Sequence, residues 1–338
     1  MRDLFVAEGA QVLWAHQAQA LGHLADRRDV VVATGTASGK SLIFQASAFE
    51  SIASGFVGEG IHAGRRPTVL YLAPTKALAA DQLRRLPQWS PLRAAAVDGD
   101  NAREERDWAR EHANYVLTNP DTLHHSILPA HPRWARLLGG LTHIVVDECH
   151  HYRGVFGAHV AHVIRRLLRI CEHYGVSPQI ILTSATVAEP GSVAERLTGR
   201  PAAAVVDDAS PHGERTIALW EPPLVGGEDG IRQSATREAA ELMTDLVSAG
   251  VRTLTFVRSR RAAETVAGIA QRRLHEVDPD LPRHVATYRG GYLPEERREL
   301  EARLRSGDLL GLATTNALEL GIDISGLDAV LSVGFPGT

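Results

Sequence analysis

Lysine is nearly absent from this sequence. Only two of its 36 basic Lys and Arg side chains are lysines, Lys40 and Lys76. An ammonium is a compact point charge and a guanidinium is a planar fork, so the two groups are not interchangeable where a small cation must sit among phosphate oxygens. Lys40 stands in a glycine-rich segment and Lys76 in an Ala-Pro-Thr-Lys segment. We therefore expect both positions to require an ammonium.

Cysteines and long apolar runs are also scarce. The two cysteines, Cys149 and Cys171, are too few for a disulfide framework or a four-cysteine zinc site. No apolar run approaches the ~18 residues of a transmembrane helix. The early charged residues Arg2, Asp3 and Glu8 argue against a secretory leader. We expect a soluble, cytoplasmic protein that has no membrane partner.

Length and charge limit the possible architectures. At ~150 residues per domain, a chain of 338 residues predicts about two domains. Hydrophobic residues make up 44% and charged residues 22%, which is typical of globular proteins and excludes a disordered or fibrous chain. A net charge of −4 gives no general attraction to polyanions, so a nucleic-acid site would have to be a local groove.

Short apolar runs alternate with amphipathic stretches, which is typical of parallel sheets covered by helices. The first group of predicted strands is 29–33, 68–72, 115–118, 142–147 and 179–183. Pro, Gly, Ala and Asp dominate 188–223, which we interpret as a linker. The second group contains strands 216–220, 253–257, 309–314 and 329–333 and helices 236–248 and 260–274. We predict an α/β fold with two tandem domains, 1–208 and 209–338, each a mainly parallel sheet flanked by helices, and a cleft between them.

The strongest local pattern is ATGTASGKS at 33–41, between a predicted strand and a predicted helix. Backbone N–H groups and the positive end of the helix dipole bind phosphate in such a turn. Lys40 would reach the β- and γ-phosphates and Ser41 would bind Mg²⁺. The predicted ATP-binding residues of this loop are Thr36, Ala37, Ser38, Gly39, Lys40 and Ser41. Thr34 replaces the first glycine of the strict P-loop pattern, so a plain glycine-rich turn stays open.

Two carboxylates, Asp147 and Glu148, end a buried β-branched strand. Asp147 would hold Mg²⁺ and Glu148 would orient or deprotonate the attacking water. With Lys40 and His150 they form the predicted catalytic set. A solvated turn is the alternative, and Cys149 beside His150 leaves open a different metal site that would need further ligands.

Six segments resemble, in order and spacing, motifs I, Ia, Ib, II, III and V of superfamily 2 helicases of the DEAD/DEAH-box type. They are ATGTASGKS at 33–41, APTK at 73–76, TNPD at 118–121, DECH at 147–150, TSAT at 183–186 and TTNALELGID at 314–323. LWAHQ at 13–17, VDGD at 97–100, HYRGVFG at 151–157 and FPGT at 335–338 are similar to the branch typified by mitomycin repair factor A and RecQ-four-like helicases. The resemblance implies two RecA-like domains and a 3′→5′ DNA helicase in repair, with ATP and Mg²⁺ as cofactors and single-stranded or partly duplex DNA as partner.

The resemblance also implies roles for single residues. Gln17 would read the adenine edge, although an exposed helix glutamine is the alternative, and Gly321 and Asp323 would approach the nucleotide from the second domain. Ser184 and Thr186 would link the nucleotide site to the domain interface. The residues implied to contact the nucleic-acid backbone are Pro74, Thr75, Lys76, Thr118, Pro120, Arg258, Ser259, Arg289, Thr314 and Thr315. Such contacts suit a translocating motor, because phosphate contacts position a strand without reading its sequence.

Four alternatives stay open from the residues. Tyr152 and Phe156 would stack on bases or pack in the core, and Arg289 would be either a backbone contact or an ordinary surface arginine. The substrate could be RNA, or the chain could be a nucleotide-dependent binding module with little turnover. In the family, motif VI and a four-cysteine zinc domain follow the FPGT segment, and neither lies within these 338 residues. We therefore expect a fragment of a longer helicase that binds Mg-ATP, hydrolyses it slowly and unwinds poorly.

Overall fold

The structure is a computed structural model, and it describes residues 5–6, 12–55, 64–185, 187–225, 230–289, 291–315 and 326–334. The chain forms two units, Met1–Gly213 and Glu214–Thr338. Their division lies close to the domain boundary predicted at 208. The two units are described separately.

The first unit is built on a seven-stranded parallel sheet with the order β3-β4-β2-β5-β6-β1-β7. Its strands are β1 Val30–Ala33, β2 Thr68–Leu72, β3 Ala94–Ala96, β4 Tyr115–Thr118, β5 Leu141–Val146, β6 Gln179–Ser184 and β7 Ala203–Val205. β1, β2, β4 and β6 are buried along their whole length. They read as continuous apolar runs because helices cover both faces of the sheet.

Helices cover the two faces with separate apolar clusters. The helices are α1 Ala15–Ala25, α2 Lys40–Ser54, α3 Lys76–Arg85, α4 Arg103–His112, α5 Pro120–Thr122, α6 Ala135–Leu138, α7 Gly154–His173 and α8 Pro190–Thr198. A π-helical turn covers Leu123–Ile127, and 3₁₀ turns cover His131–Trp134 and Cys149–His151. On one face α7 packs through residues such as Ile164 and Leu167, and on the other α2 packs through Phe44 and Phe49.

The second unit has a smaller parallel sheet with the order β11-β12-β10-β13 and a two-stranded antiparallel ribbon, β8-β9. The strands are β8 Leu224–Val225, β9 Ile231–Arg232, β10 Thr253–Phe256, β11 Val285–Tyr288, β12 Gly311–Thr314 and β13 Ala329–Ser332. Its helices are α9 Ala235–Ser248, α10 Arg260–Val277 and α11 Pro294–Ser306, with a 3₁₀ turn at Leu281–His284. Among the helices described in either unit, none has the length and apolar character needed to cross a membrane.

The predicted fold class is confirmed, but one predicted strand and part of the predicted linker are wrong. β2 and β4 have their predicted bounds, but the predicted strand 216–220 is wrong. Its apolar side chains Ile217 and Leu219 are 91% and 101% exposed, and its backbone pairs with no other described strand. An apolar run forms a strand only where a neighbour satisfies its backbone groups. Part of the predicted linker is also wrong, because α8 and β7 lie within 188–223.

Parallel pairing brings the carboxyl ends of the strands to one edge of the first sheet. Thr34 follows β1 there, Ala73 follows β2, Thr118 ends β4, Asp147 follows β5 and Ser184 ends β6. The segments that resemble motifs I, Ia, Ib, II and III therefore meet at this edge, which is where open α/β sheets bind ligands.

Two helix glycines give a matched test of the packing. An added Cβ at Gly157 in α7 would lie 2.3 Å from the carbonyl oxygen of Tyr152, whereas one at Gly22 in α1 would meet no atom within 4 Å. Gly157→Ala should destabilise the first unit by about 1–3 kcal/mol through overpacking. Gly22→Ala should stabilise it by up to about 1 kcal/mol, because alanine is the better helix former. Urea unfolding followed by circular dichroism measures both; an unchanged midpoint for Gly157→Ala would contradict this packing.

Candidate active site

The loop after β1 is shaped for a phosphate. Ala37 and Gly39 have φ angles of 60° and 66°, in the left-handed region. An added Cβ at Gly39 would lie 2.4 Å from Nε2 of Gln17 and 3.0 Å from the ring of Trp14, so both conformation and space favour a glycine there. α2 begins at Lys40 directly after this turn. Its first N–H groups and its dipole therefore face the carboxyl edge of the sheet, where they favour an anion.

Hydroxyl groups close the loop where the strict P-loop pattern fails. Oγ1 of Thr34 lies 2.6 Å from Oγ of Ser38, and both side chains are buried. Ser38 Oγ also donates to the carbonyl oxygen of Gly35 at 2.8 Å. Thr34 thus stabilises the turn through its side chain, which is a contact that the usual glycine cannot make. Thr36 and Ala37 are exposed at the tip of the loop.

Lys40 lies among the predicted catalytic groups. Its Nζ donates to the carbonyl oxygens of Thr34 and Gly35 at 3.0 and 2.5 Å. Burial lowers the pKa of Lys40, while the carboxylates of Glu148 and Asp147 act in the opposite direction. Both carboxylates therefore lie within electrostatic reach of the ammonium. Ser41, the predicted Mg²⁺ ligand, is half-buried in the first turn of α2.

Asp147 is fixed by hydrogen bonds to both of its oxygens. The hydroxyl of Tyr71 donates to Oδ2 and the hydroxyl of Thr183 donates to Oδ1. Oδ1 also accepts the backbone N–H of Glu148 at 3.0 Å. An ionised carboxylate offers about four lone-pair sites, so three donors leave room for a cation. The hard oxygens of Asp147 and Ser41 fit Mg²⁺, which binds through one or two carboxylates together with phosphate oxygens.

Glu148 has a strained backbone and a shifted pKa. Its φ of 48° lies in the left-handed region, a conformation that costs a non-glycine residue about 1–3 kcal/mol. Burial, and then the neighbouring Asp147, raise the pKa of Glu148 to about 7, while Lys40 lowers it. A carboxyl with a pKa near neutrality is suited to accept a proton from water and release it again.

His150 connects Glu148 to the end of β6. Its Nδ1 lies 3.2 Å from Oε2 of Glu148, accepts the N–H of Ala185 at 3.3 Å and lies 3.4 Å from Oγ of Ser184. Burial, and then the nearby basic side chains His151, Arg153 and Lys40, lower the pKa of His150 to about 4, so the ring is neutral at pH 7. The residues that resemble motifs II and III are thus joined by one imidazole.

The neighbouring Cys149 is not suited to bind a metal. It is buried in the core, and burial raises the pKa of its thiol to about 12. Metals bind cysteine as the thiolate, which this environment disfavours.

Helix α1 supports the loop from outside. Gln17 is buried, contrary to the exposed alternative; its Oε1 accepts the N–H of Trp14 at 2.9 Å and its Nε2 donates to the carbonyl oxygen of Gly39 at 3.0 Å. Nε2 of the buried His16 lies 2.8 Å from the carbonyl oxygen of Ser38. His16 stands beside Gln17 in the LWAHQ segment, but no pattern in the sequence predicts this contact with the loop.

Asp208 holds the loop from the other side, and no sequence signal marked it. Its Oδ2 accepts the N–H of Gly35 at 2.9 Å. Desolvation opposes ionisation, but hydrogen bonds from Ser210 and Gly35, and the nearby His212, lower the pKa of Asp208 to about 2. The carboxylate therefore stays ionised at every physiological pH and keeps its bond to the loop.

The predicted nucleic-acid contacts of the first unit have different environments. Lys76 is exposed, with its Nζ 2.7 Å from Asp100 and 3.9 Å from Asp98. Thr75 caps α3 by accepting the N–H of Leu78 at 3.2 Å, and the adjacent Pro74 is half-buried.

At the end of β4, Thr118 is buried and donates to the carbonyl oxygen of Val97 at 2.7 Å. Pro120 is the buried first residue of α5. The ring of Tyr152 packs in the hydrophobic core, whereas the side chain of Phe156 is 44% exposed. Of the two rings, only that of Phe156 is accessible to a base.

In the second unit, several predicted contacts make local bonds. Ser259 caps α10 by accepting the N–H of Ala262 at 3.1 Å, and Arg258 beside it is exposed. Arg289 forms an ion pair with Glu264 at 2.9 Å. A nucleic-acid phosphate would have to replace this carboxylate.

The segment that resembles motif V is described only at its start. Thr314 ends β12, is buried and donates to the carbonyl oxygen of Thr315 at 2.9 Å. Gly321 and Asp323, like Thr186 of motif III, lie outside the described residues.

Comparison with known families agrees with this arrangement. The profile of the DEAD/DEAH box helicase family matches residues 14–193, which is more than half of the chain. The helicase conserved C-terminal domain matches residues 238–338. The chain belongs to the DEAD/DEAH box helicases.

Individual relatives extend the similarity to nearly the whole chain. The ATP-dependent helicase YprA of Bacillus subtilis (strain 168) is 41% identical over 98% of this chain and 43% of its own length. The ATP-dependent helicase HRQ1 of Saccharomyces cerevisiae is 38% identical over 96% of this chain and 30% of its own. The crystal structure of the DUF1998 helicase MrfA bound to DNA and AMPPNP matches with a TM-score of 0.88 and 40% identity, over 99% of this chain and 46% of that one.

The predicted membership of superfamily 2, in the branch of MrfA and the RecQ-like helicases, is confirmed by these relatives. The predicted tandem RecA-like fold is confirmed as well. The chain spans less than half the length of each of these relatives.

Two buried tyrosines test the support of Asp147 in this helicase. Tyr71 donates to Asp147, whereas the hydroxyl of the buried Tyr115 has no partner among the described residues. Loss of a hydrogen bond to a metal-binding carboxylate typically costs 10- to 100-fold in metal affinity or activity. Tyr71→Phe should therefore raise the Mg²⁺ concentration needed for half-maximal ATP hydrolysis by about tenfold or more. Tyr115→Phe is the control and should leave it unchanged; equal effects of the two substitutions would contradict a specific role for Tyr71.

The raised pKa of Glu148 predicts the pH dependence of hydrolysis. The carboxyl accepts a proton only when ionised, so its active fraction grows as the pH rises through about 7. The basal ATPase rate should increase from pH 6 to pH 8. Any residual rate of Glu148→Gln should lack this increase, and a parent rate that is flat or falls over the same interval would contradict Glu148 as the proton acceptor.

Proposed function

We propose that this chain is the motor part of an ATP-dependent DNA helicase that moves 3′→5′ on single-stranded DNA and acts in repair. In this proposal residues 1–208 bind ATP and residues 209–338 form the second motor domain. The observation that carries it is that the loop with Lys40 after β1 and the acids Asp147 and Glu148 after β5 emerge at the same carboxyl edge of the parallel sheet. The relatives support DNA as the substrate, since MrfA was crystallised with DNA and AMPPNP.

Each residue of the nucleotide site has a defined task. Asp147 and Ser41 hold Mg²⁺, which neutralises charge on the phosphates when bound. When ATP binds, Nζ of Lys40 donates to oxygens of the β- and γ-phosphates in place of the carbonyl oxygens of its own loop. Glu148 orients the attacking water and takes its proton.

His150 and Gln17 act beside these groups. The neutral imidazole of His150 passes changes at Glu148 to Ser184 and Ala185 at the end of β6. Gln17 reads the adenine edge from α1 while its amide contacts the phosphate loop. Gly321 and Asp323 complete the nucleotide site from the second domain.

The strand is held through its backbone. Lys76 leaves its ion pairs with Asp98 and Asp100 and pairs with a phosphate of the strand. Strand binding therefore depends on the salt concentration. Phe156 offers a ring on which any base can stack. The other contacts proposed for the strand come from Pro74, Thr75, Thr118, Pro120, Arg258, Ser259, Arg289, Thr314 and Thr315.

ATP hydrolysis with and without nucleic acid tests the function. Single-stranded DNA should stimulate phosphate release more than RNA of the same sequence at the same salt concentration. Equal stimulation by RNA would favour an RNA helicase. Tight nucleotide-dependent binding of strands with no stimulated turnover would instead favour a binding module.

Substitutions separate nucleotide binding from hydrolysis. Lys40→Ala should abolish productive binding of a fluorescent ATP analogue, because the phosphates lose their cation. Glu148→Gln should bind the analogue but stop hydrolysis, because the carboxylate acts mainly in the transition state. Glu172→Gln, on the exposed side of α7, is the control and should behave as the parent. Hydrolysis at the parent rate by Glu148→Gln would overturn the assignment.

A further inference from the structure

A groove on the first unit begins at the TNPD and HYRGVFG segments and extends beyond them along α7. It has a volume of about 500 Å³ and runs between the π-helical turn Leu123–Ile127 and α7. Arginines and histidines dominate its lining, and Asp121 is the one acidic residue among them. A groove of one charge sign focuses the electrostatic field and attracts counter-charged ligands.

One face of α7 supplies most of the groove. Phe156, His159, His162, Arg166 and Arg169 follow one another at spacings of three or four residues, so they lie along one side of the helix. At 1.5 Å per residue this row extends for about 20 Å. It is long enough for several consecutive phosphates of an extended strand, which are spaced 3.4 Å or more apart.

The arginines of this groove are not neutralised. Some arginines of the same unit are neutralised by an acid, as Arg110 is by Asp107. Over the described residues, Arg165, Arg166 and Arg169 form no ion pair with a carboxylate. Their guanidinium groups are therefore available to an anion from outside.

Two of these arginines are held by neutral groups. Arg166 donates to Nδ1 of His124 at 3.1 Å, and Arg165 donates to the carbonyl oxygen of Arg196 at 2.8 Å. Because His124 accepts at Nδ1, its Nε2 carries a proton and is a second donor. Both contacts fix the direction of a guanidinium without cancelling its charge.

The groove starts at the edge of the sheet that carries the active site. α7 follows β5, so its first turn with Phe156 lies at the carboxyl edge and its last turns lie toward the amino edge. Pro120, at the end of β4, lines the same end of the groove. The groove is therefore continuous with the carboxyl edge at this end.

We propose that this groove binds the phosphate backbone of single-stranded DNA as the strand passes off the carboxyl edge, with a base stacked on Phe156. The proposal rests on the proposed function for the nature of the strand. Guanidinium forks recognise phosphate oxygens, and an exposed aromatic ring beside a basic track is typical of single-strand binding. Acidic side chains carry no flat ring that could stack on Phe156, whereas every nucleic-acid base does. Nucleic acid is therefore the better ligand.

The test measures affinity for fluorescent DNA strands of about 8 and about 20 nucleotides over a series of salt concentrations. The parent should bind the longer strand more tightly, and Arg166→Ala/Arg169→Ala should lose most of that gain. Removing two phosphate contacts should reduce the slope of log K against log salt by about 1.4. Phe156→Leu, which keeps the apolar volume, should weaken binding by about tenfold through lost stacking.

Arg28→Ala is the matched control. Arg28 is exposed and contacts a histidine Nδ1 at 3.3 Å, as Arg166 does, but it lies at the amino end of β1. Arg166→Ala alone and Arg169→Ala alone should each reduce the slope of log K against log salt by about 0.7. Arg28→Ala should leave the slope unchanged. Every variant should have the same thermal unfolding midpoint as the parent, which shows that it is folded.

The possible failures are distinguishable. Parent-like length dependence and slope in Arg166→Ala/Arg169→Ala would overturn the groove while leaving the proposed function intact. Failure of the parent to bind either strand would overturn both. In the third case, poly-glutamate of equal charge displaces the DNA and also binds more weakly to Phe156→Leu than to the parent. That result would show that the groove binds an acidic protein segment rather than DNA.

Discussion

The parallel register of the first sheet is the constraint on which the active site depends. Ala33 pairs with Ser184, and Leu72 pairs with both Thr118 and Val146. These residues end their strands, so the loops that follow them emerge side by side. Residues far apart in the sequence become neighbours through backbone hydrogen bonds alone. A shift of one strand by a single residue would reverse the faces of its side chains and move its loop out of reach.

The buried carboxylates at this edge show how the fold supports groups that it would otherwise exclude. Asp147 is held by Tyr71 and Thr183, and burial, followed by the neighbouring Asp147, raises the pKa of Glu148 to about 7. Burial disfavours the charged form of Glu148, so this carboxyl exchanges a proton near neutral pH. The left-handed backbone of Glu148 is a further cost, and strain of this kind persists where the surrounding structure fixes the conformation.

Arginine is used in two ways on the first unit. Some arginines, such as Arg84 and Arg110, pair with acids along their own helices, and Arg136 donates to carbonyl oxygens at the end of α4. Those beside α7 have neutral partners and keep their charge. A chain with a net charge of −4 can therefore still present a local track for a polyanion. Position relative to acids, rather than the number of basic residues, decides where such a track exists.

The sequence by itself determined the α/β fold class and most strands, and it marked Lys40, Asp147 and Glu148 as candidate site residues, because apolar periodicity and the spacing of short motifs are local properties. It could not determine that Tyr71 and Asp208 bond to Asp147 and to the phosphate loop, since each partner lies more than seventy residues away in the chain.

Only the tertiary structure decided which rings are accessible and which strands form. Tyr152 and Phe156 are four residues apart and equally aromatic, yet one packs into the core and the other faces solvent. Residues 216–220 have a strand-like sequence and remain irregular, whereas the alanines 94–96 form β3 because β4 lies beside them. Burial and strand pairing depend on what another part of the chain brings into contact, and no local pattern contains that information.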